Sequence, residues 1–155
     1  MRLQLDGSGL GLANFGEPAA LSTEAITAVL GAPTGHPSAG CTGRYTQAAW
    51  HDLIVQFNEG RFTGYRYVAG GFDGVSPSRE TLHAPVVPMI ATAKRITLGS
   101  TMAEVKRAYR SLDRSGTDFW RTPSGIVFAF YSGKPNPSPL SPVYEIKDNV
   151  CPAAL

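Results

Sequence analysis

Cys41 and His51 flank the run RYTQAAW, and a thiol with an imidazole beside it is the simplest nucleophilic pair this chain offers. Such a pair works only when the thiolate is stabilised and a third group orients the imidazole. The neighbouring residues supply neither. His36, Cys41 and His51 would make three zinc ligands, but their spacing fits no familiar zinc pattern and a fourth ligand is missing. Acid–base work by paired carboxylates needs two acids held close together. The twelve acids are instead spread singly. Asp52 and Asp73 fall where turns are expected, and Glu24 and Glu104 fall in helix first turns, where the dipole favours them. His83 lies in a connection. The glycine-rich GSGLG, residues 7–11, lacks the Lys-Ser/Thr of a phosphate loop and reads as a turn needing glycine's backbone freedom. No catalytic residue, metal site or cofactor is therefore expected.

The elements that would position any site follow from periodicity. Residues 3–15 read as a short strand and a glycine-rich crossover. Ser22 or Thr23 can cap a first helix of about residues 22–30, with Ala25, Ile26, Val29 and Leu30 as its apolar stripe. Gly31 ends it and Pro33 blocks continuation. From residue 44 to 69 the period changes to that of a three-stranded antiparallel meander, with turns at His51-Asp52 and Asn58-Glu59-Gly60. The turn-rich stretch that follows reads as an ordered connection, with PVVPMIAT extended. Ile96 and Leu98 then suggest a strand. Thr101 and Glu104 have capping-box spacing for a second helix of about residues 101–111, with stripe Met102, Val105, Ala108, Tyr109 and Leu112. A hairpin around Pro123-Ser124-Gly125 and a closing strand VYEIKDNVC complete the chain. PNPSPLSP carries a P-x-x-P spacing from Pro139 to Pro142, but a hairpin loop is the ordinary reading of such a stretch.

The two halves echo each other: lead strand, helix, three strands, with LIVQF answering IVFAF. This predicts an α+β fold of two similar helix-plus-sheet lobes that form one extended sheet with helices on one face. Lobe one is residues 1–70, the connection 71–94 and lobe two 95–155. The helix-entry residues Leu98-Gly99-Ser100-Thr101 with Glu104-Val105, and the exit Leu30-Gly31-Ala32-Pro33, resemble the tandem helix-plus-sheet fold of the β-lactamase inhibitory proteins. They also resemble its single-unit relatives, the small lipoproteins of outer-membrane assembly. LDGSGLGLANFGEP is similar to the start of uncharacterised exported proteins of high-GC bacteria. The resemblance covers nearly the whole chain and implies an exported binding or structural module without catalytic residues. The inhibitors carry a disulfide in each domain, which two cysteines cannot supply.

Bulk properties agree with a globular chain. Its 155 residues are 43% hydrophobic and 17% charged, with mean hydropathy -0.08, a composition that favours collapse over disorder. A net charge of +2 with scattered arginines gives no phosphate-tracking stripe, so no nucleic-acid partner is expected. Ten Arg against four Lys fit a GC-rich genome. No apolar run reaches the ~18 residues of a membrane span. MRLQLDGSGLGL is no signal peptide, leaving a cytosolic protein or a mature form whose leader, even a lipidated one, was removed. Cys41 and Cys151 both sit at the edge of structure and are expected to pair. Their bridge would close a loop of about 110 residues, worth up to ~4.7 kcal/mol. The other reading is two free thiols in a cytosolic protein.

Function is read from the aromatic residues. With strict alternation Leu53, Val55, Phe57, Phe62 and Gly64 line the helix-covered face, and Ile54, Gln56, Tyr65 and Tyr67 the open one. The second half adds Ile126, Phe128 and Phe130 inside, with Val127 and Tyr131 outside. Arg66 would then point inward, which a bulge at Gly64 would rescue or which it would answer by reversing the faces beyond it. The expectation is a secreted or cell-envelope protein-binding module contacting its partner through Ile54, Gln56, Tyr65, Tyr67 and Tyr131. The alternatives are an envelope structural protein and a small thiol hydrolase using Cys41.

Overall fold

The computed structural model describes residues 3–37, 45–70, 90–116, 118–131 and 137–150. Cys41, Cys151, His83 and Asp73, and with them the expected disulfide and most of the connection, lie outside the described residues.

The fold is α+β. Chain order is β1 (Gln4–Leu5), α1 (Ala19–Leu30), β2 (Tyr45–Trp50), β3 (Leu53–Asn58), β4 (Arg61–Val68), β5 (Ala91–Thr92), α2 (Met102–Ala108), β6 (Asp113–Arg114), β7 (Phe119–Arg121), β8 (Val127–Phe130) and β9 (Val143–Asp148). Seven strands form one antiparallel sheet in the order β2-β3-β4-β9-β8-β7-β6, while β1 and β5 pair in parallel. The last strand therefore fills the middle of the sheet. Among the described residues no helix is long and apolar enough to cross a membrane.

Local chemistry explains most of these elements. At the β3–β4 turn Glu59 and Gly60 have φ of 52° and 76°, the left-handed pair that lets a two-residue turn follow the twist of its strands. Gly31 ends α1 with φ 83° and donates to the Thr27 carbonyl, and the Trp50 indole N–H donates to the Gly31 carbonyl at 2.9 Å. α2 begins at Thr101, whose hydroxyl accepts from the Glu104 N–H at 3.2 Å. Such a cap contributes about 1 kcal/mol.

Three local expectations are corrected. α1 starts three residues before Ser22, because the Ala19 N–H finds the Gly60 carbonyl at 2.8 Å and no side-chain cap is used. Ser22 is buried inside the helix instead. α2 stops at Ala108, where Tyr109 turns extended and packs its ring on Phe128 at 5.3 Å. Ile96 and Leu98 form no strand. The short pairing strand lies earlier, at Ala91–Thr92, and Arg95 with φ 64° reverses the chain so that Thr92 N–H meets the Ile96 carbonyl. Both Ile96 and Leu98 are nonetheless buried.

The core lies on one face of the sheet. Cross-strand pairing lines up Trp50, Leu53, Tyr67, Ile146, Phe128 and Trp120 in a single row from β2 to β7. Ile26 of α1, Met102 and Val105 of α2, and Leu5, Leu10 and Ala13 of the N-terminal loop belong to the same apolar cluster. Both helices thus cover this face, together with that loop.

Candidate functional site

Strand β4 decides which side chains the face away from the helices carries. Phe57 pairs with Phe62, but Gln56 pairs with Gly64, so Thr63 is an extra residue in β4. The bulge is held from two sides. The Thr63 hydroxyl donates to the Gln56 carbonyl at 3.3 Å, and the Asn149 amide donates to the Thr63 carbonyl at 2.6 Å. A single extra residue shifts the period-two pattern by one. Beyond it Tyr65 and Tyr67 turn to the helix side, opposite Val55 and Leu53, and Arg66 turns outward.

The expected contact set is therefore corrected. Tyr65 and Tyr67 are fully buried in the core cluster, which takes them off any open surface. Burial pushes both phenols above the ordinary tyrosine range, and the Tyr65 hydroxyl donates to the Asp6 carbonyl at 3.0 Å. Ile54 and Gln56 do stand on the face away from the helices, but both are buried. Tyr131 is half-buried against the core cluster. In the second half the alternation holds from Ile126 to Phe130, with Ile126, Phe128 and Phe130 in the core cluster and Val127 outside it, and it fails at Tyr131, beyond the register shift at Ala129/Phe130.

Most of the face away from the helices is buried, Ala49, Ile54, Gln56, Val127 and Ala129 included, and what it does bring to solvent is charge. One row runs Ala49, Ile54, Arg66, Lys147, Val127 and Arg121, and the next runs Val68, Glu145, Ala129 and Phe119. Arg66 Nε donates to Glu145 Oε2 at 2.7 Å, and Lys147 Nζ lies 3.4 Å from the other oxygen. The Glu145 side chain is 5% exposed, while that of Arg66 is 40% exposed. The carboxylate thus orders two cationic stems that still reach solvent. Lys147 also sits 4.8 Å over the Phe119 ring, a cation–π contact. The first row continues from Arg121 to Asp113 of β6, so the two rows hold three cations against two carboxylates, and the positive end of the strip is the Arg66–Lys147 pair. Sequence reasoning missed it because the bulge hides its registry; the sign was the awkward inward Arg66.

A second feature lies on the helix side. A cleft of about 430 Å³ opens between the N-terminal loop (Leu5, Asp6, Gly7, Ser8), Lys94, Tyr109 and the β7–β8 turn (Ser124, Ile126). Beside that turn is Asp148, opposite Tyr65 in the sheet and 6% exposed. Burial lifts its carboxyl to about 7, opposed by Arg121 and the Asn149 N–H and reinforced by Asp6. A carboxyl so shifted near a cleft has the profile of a general acid. Its Oδ2 is sealed from solvent, however, and makes no hydrogen bond among the described residues, so as folded it does not meet a substrate.

The other candidates sit in structural roles. Asp6 accepts from the Ser8 N–H and hydroxyl, closing the GSGLG turn. His36 and His51 are exposed. The Thr34 hydroxyl accepts from the His51 N–H, and His51 turns the chain with φ 54°. No group of three metal-ligating side chains occurs among the described residues. The Pro139–Pro142 stretch is tied to α2, with the Pro139 and Ser141 carbonyls taking the Ala103 and Met102 N–H groups. No family model, curated protein or solved structure matches the chain.

Proposed function

We propose that this protein is an exported binding module, without catalytic function, whose sheet face opposite the helices takes up an acidic protein surface. The observation that carries the reading is the positive strip: Arg66 and Lys147, ordered by buried Glu145 and bordered by Phe119, on the face that neither helix covers. Preorganised cations lose little entropy on binding, and complementary charge sets both partner choice and encounter rate. Half-buried Val68, beside Glu145 in the sheet, would extend the contact.

The module is read as two similar lobes. In support, each helix precedes a three-stranded meander, β2-β3-β4 or β7-β8-β9, and the meanders meet antiparallel through their last strands. The two lead strands pair with each other as well.

Replacing Phe119 by Ala together with Lys147 by Gln removes a half-buried ring and one cation while leaving Arg66 on Glu145. Capture of an envelope partner by the immobilised protein is expected to fall about tenfold or more, with the melting temperature nearly unchanged. Undiminished capture by a folded double variant would show that this face is not the binding site. Export rests on Cys41 and Cys151, and thiol titration with and without reductant tests it. No reactive thiol is expected before reduction and two after it; a freely reactive Cys41 in the native protein contradicts export and reopens thiol chemistry.

A further inference from the structure

The junction around Asp148 is packed without slack. Gly125 leaves so little room that a Cβ there would lie 3.1 Å from Asp148 Oδ1. A Cβ on Gly7 would run into the Ser124 backbone, so the N-terminal loop rests directly on the β7–β8 turn. That loop is otherwise held to the sheet here by the Tyr65 hydroxyl on the Asp6 carbonyl. The charged and titratable groups around the carboxyl are Asp6 from the loop and Arg121 from β7, with Tyr65 from β4 beside it and Tyr109 after α2 near that ring. Thr122 and Ser124 share one hydroxyl hydrogen bond at 2.9 Å. Asp148 Oδ2 is left buried without a partner among the described residues.

We propose that Asp148 is a proton-operated latch: neutral, it lets the N-terminal loop stay seated on the β7–β8 turn, and ionised, it drives the two apart and widens the cleft beside them. A neutral carboxyl tolerates this dry setting. An ionised one is buried, with an unpaired oxygen and a second carboxylate nearby, and water is its remedy. The sign follows from linkage. In the closed form the carboxyl titrates at about 7, whereas exposed to water it returns to its ordinary 3.8. Between those values the closed form holds the proton more tightly. Closure is favoured in acid, weakens as pH rises through this window, and changes no further above about 7.

Amide hydrogen exchange, corrected for intrinsic rates, reads this directly. The Gln4, Leu10 and Phe15 amides donate within the N-terminal segment, to Leu10, Ala13 and Ser8 carbonyls. Their protection is expected to fall on the order of 10- to 100-fold from pH 5 to pH 7 and to level off above it. They should also exchange faster throughout than the amides of β3 and β4. Asp148→Asn should abolish the fall. Asp6→Asn, which keeps the oxygen that Ser8 needs, should move the midpoint to lower pH. On the unaltered protein, the Asp148 side-chain carbonyl resonance should titrate near pH 7. Flat protection, a fall that persists in Asp148→Asn, exchange only through global unfolding, or titration near pH 4 would each overturn the latch.

Discussion

Truncating Phe128 to alanine is expected to cost about 3–5 kcal/mol, the range for deleting a fully buried aromatic ring. The ring has no exposure, stands between Ile146 and Trp120 in the six-strand row and meets Tyr109 at 5.3 Å. Nothing adjacent is free to fill the void, because Ile146 and Trp120 beside it are themselves locked in the sheet. The loss is a large share of the ~5–15 kcal/mol that holds a domain together. Two tryptophans make the result informative about architecture. Trp50 lies on β2 and Trp120 on β7, so each half of the chain carries its own fluorophore. In urea melts of Trp50→Phe and Trp120→Phe backgrounds, both signals should move together to lower denaturant, because one core row joins the halves. If the Trp50 transition stays in place while the Trp120 transition moves, the halves melt independently and the shared core is not cooperative.

Gly64→Ala is expected to cost about 2–3 kcal/mol, as overpacking against backbone does. A Cβ at this position would lie 2.5 Å from the Asn149 carbonyl oxygen and 2.9 Å from that of Asp148. These are main-chain atoms at the end of the central strand, and they cannot step aside as a flexible side chain would. Gly64 also adjoins the bulge residue Thr63, whose carbonyl Asn149 holds. Pushing Asn149 away loosens the clasp that fixes which way Tyr65, Arg66 and Tyr67 face. Thr63→Ala is the control, since it removes one hydroxyl hydrogen bond and should cost about 1 kcal/mol. Chemical denaturation of the two variants separates them. Equal midpoints would mean that the close approach at Gly64 carries no special weight.

These two residues mark the boundary of what local patterning conveys. Phe128 was placed in the core by alternation, because β8 keeps period two from Val127 through Phe130. β4 does not, and a reading that assumes strict alternation sends Tyr65 and Tyr67 to the wrong face. Arg66 was the legible sign: a cation on the inner face of a sheet is costly enough to imply a register change. The start of α1 departs from the capping pattern for a related reason. Ser22 has the chemistry of a cap, but the Gly60 carbonyl, distant in sequence, satisfied the helix end first.

From its residues alone the chain determined its class, the two helices with their Gly31 and Thr101 boundaries, the meander and its left-handed turn, and the core-facing Met102 and Val105 of α2; of the stripe read for α1 only Ile26 is buried, and Val29 is exposed. These depend on propensity, period and capping, which act within a few residues. Tertiary structure alone decided that β9 lies beside β4, that Asn149 clasps the bulge, that Arg66 meets Glu145 and that Asp148 is shut in beneath the N-terminal loop. Each of those outcomes joins groups about 80 to 140 residues apart in sequence, and a contact of that span leaves no periodic trace in either segment, because its geometry exists only once the chain has closed upon itself.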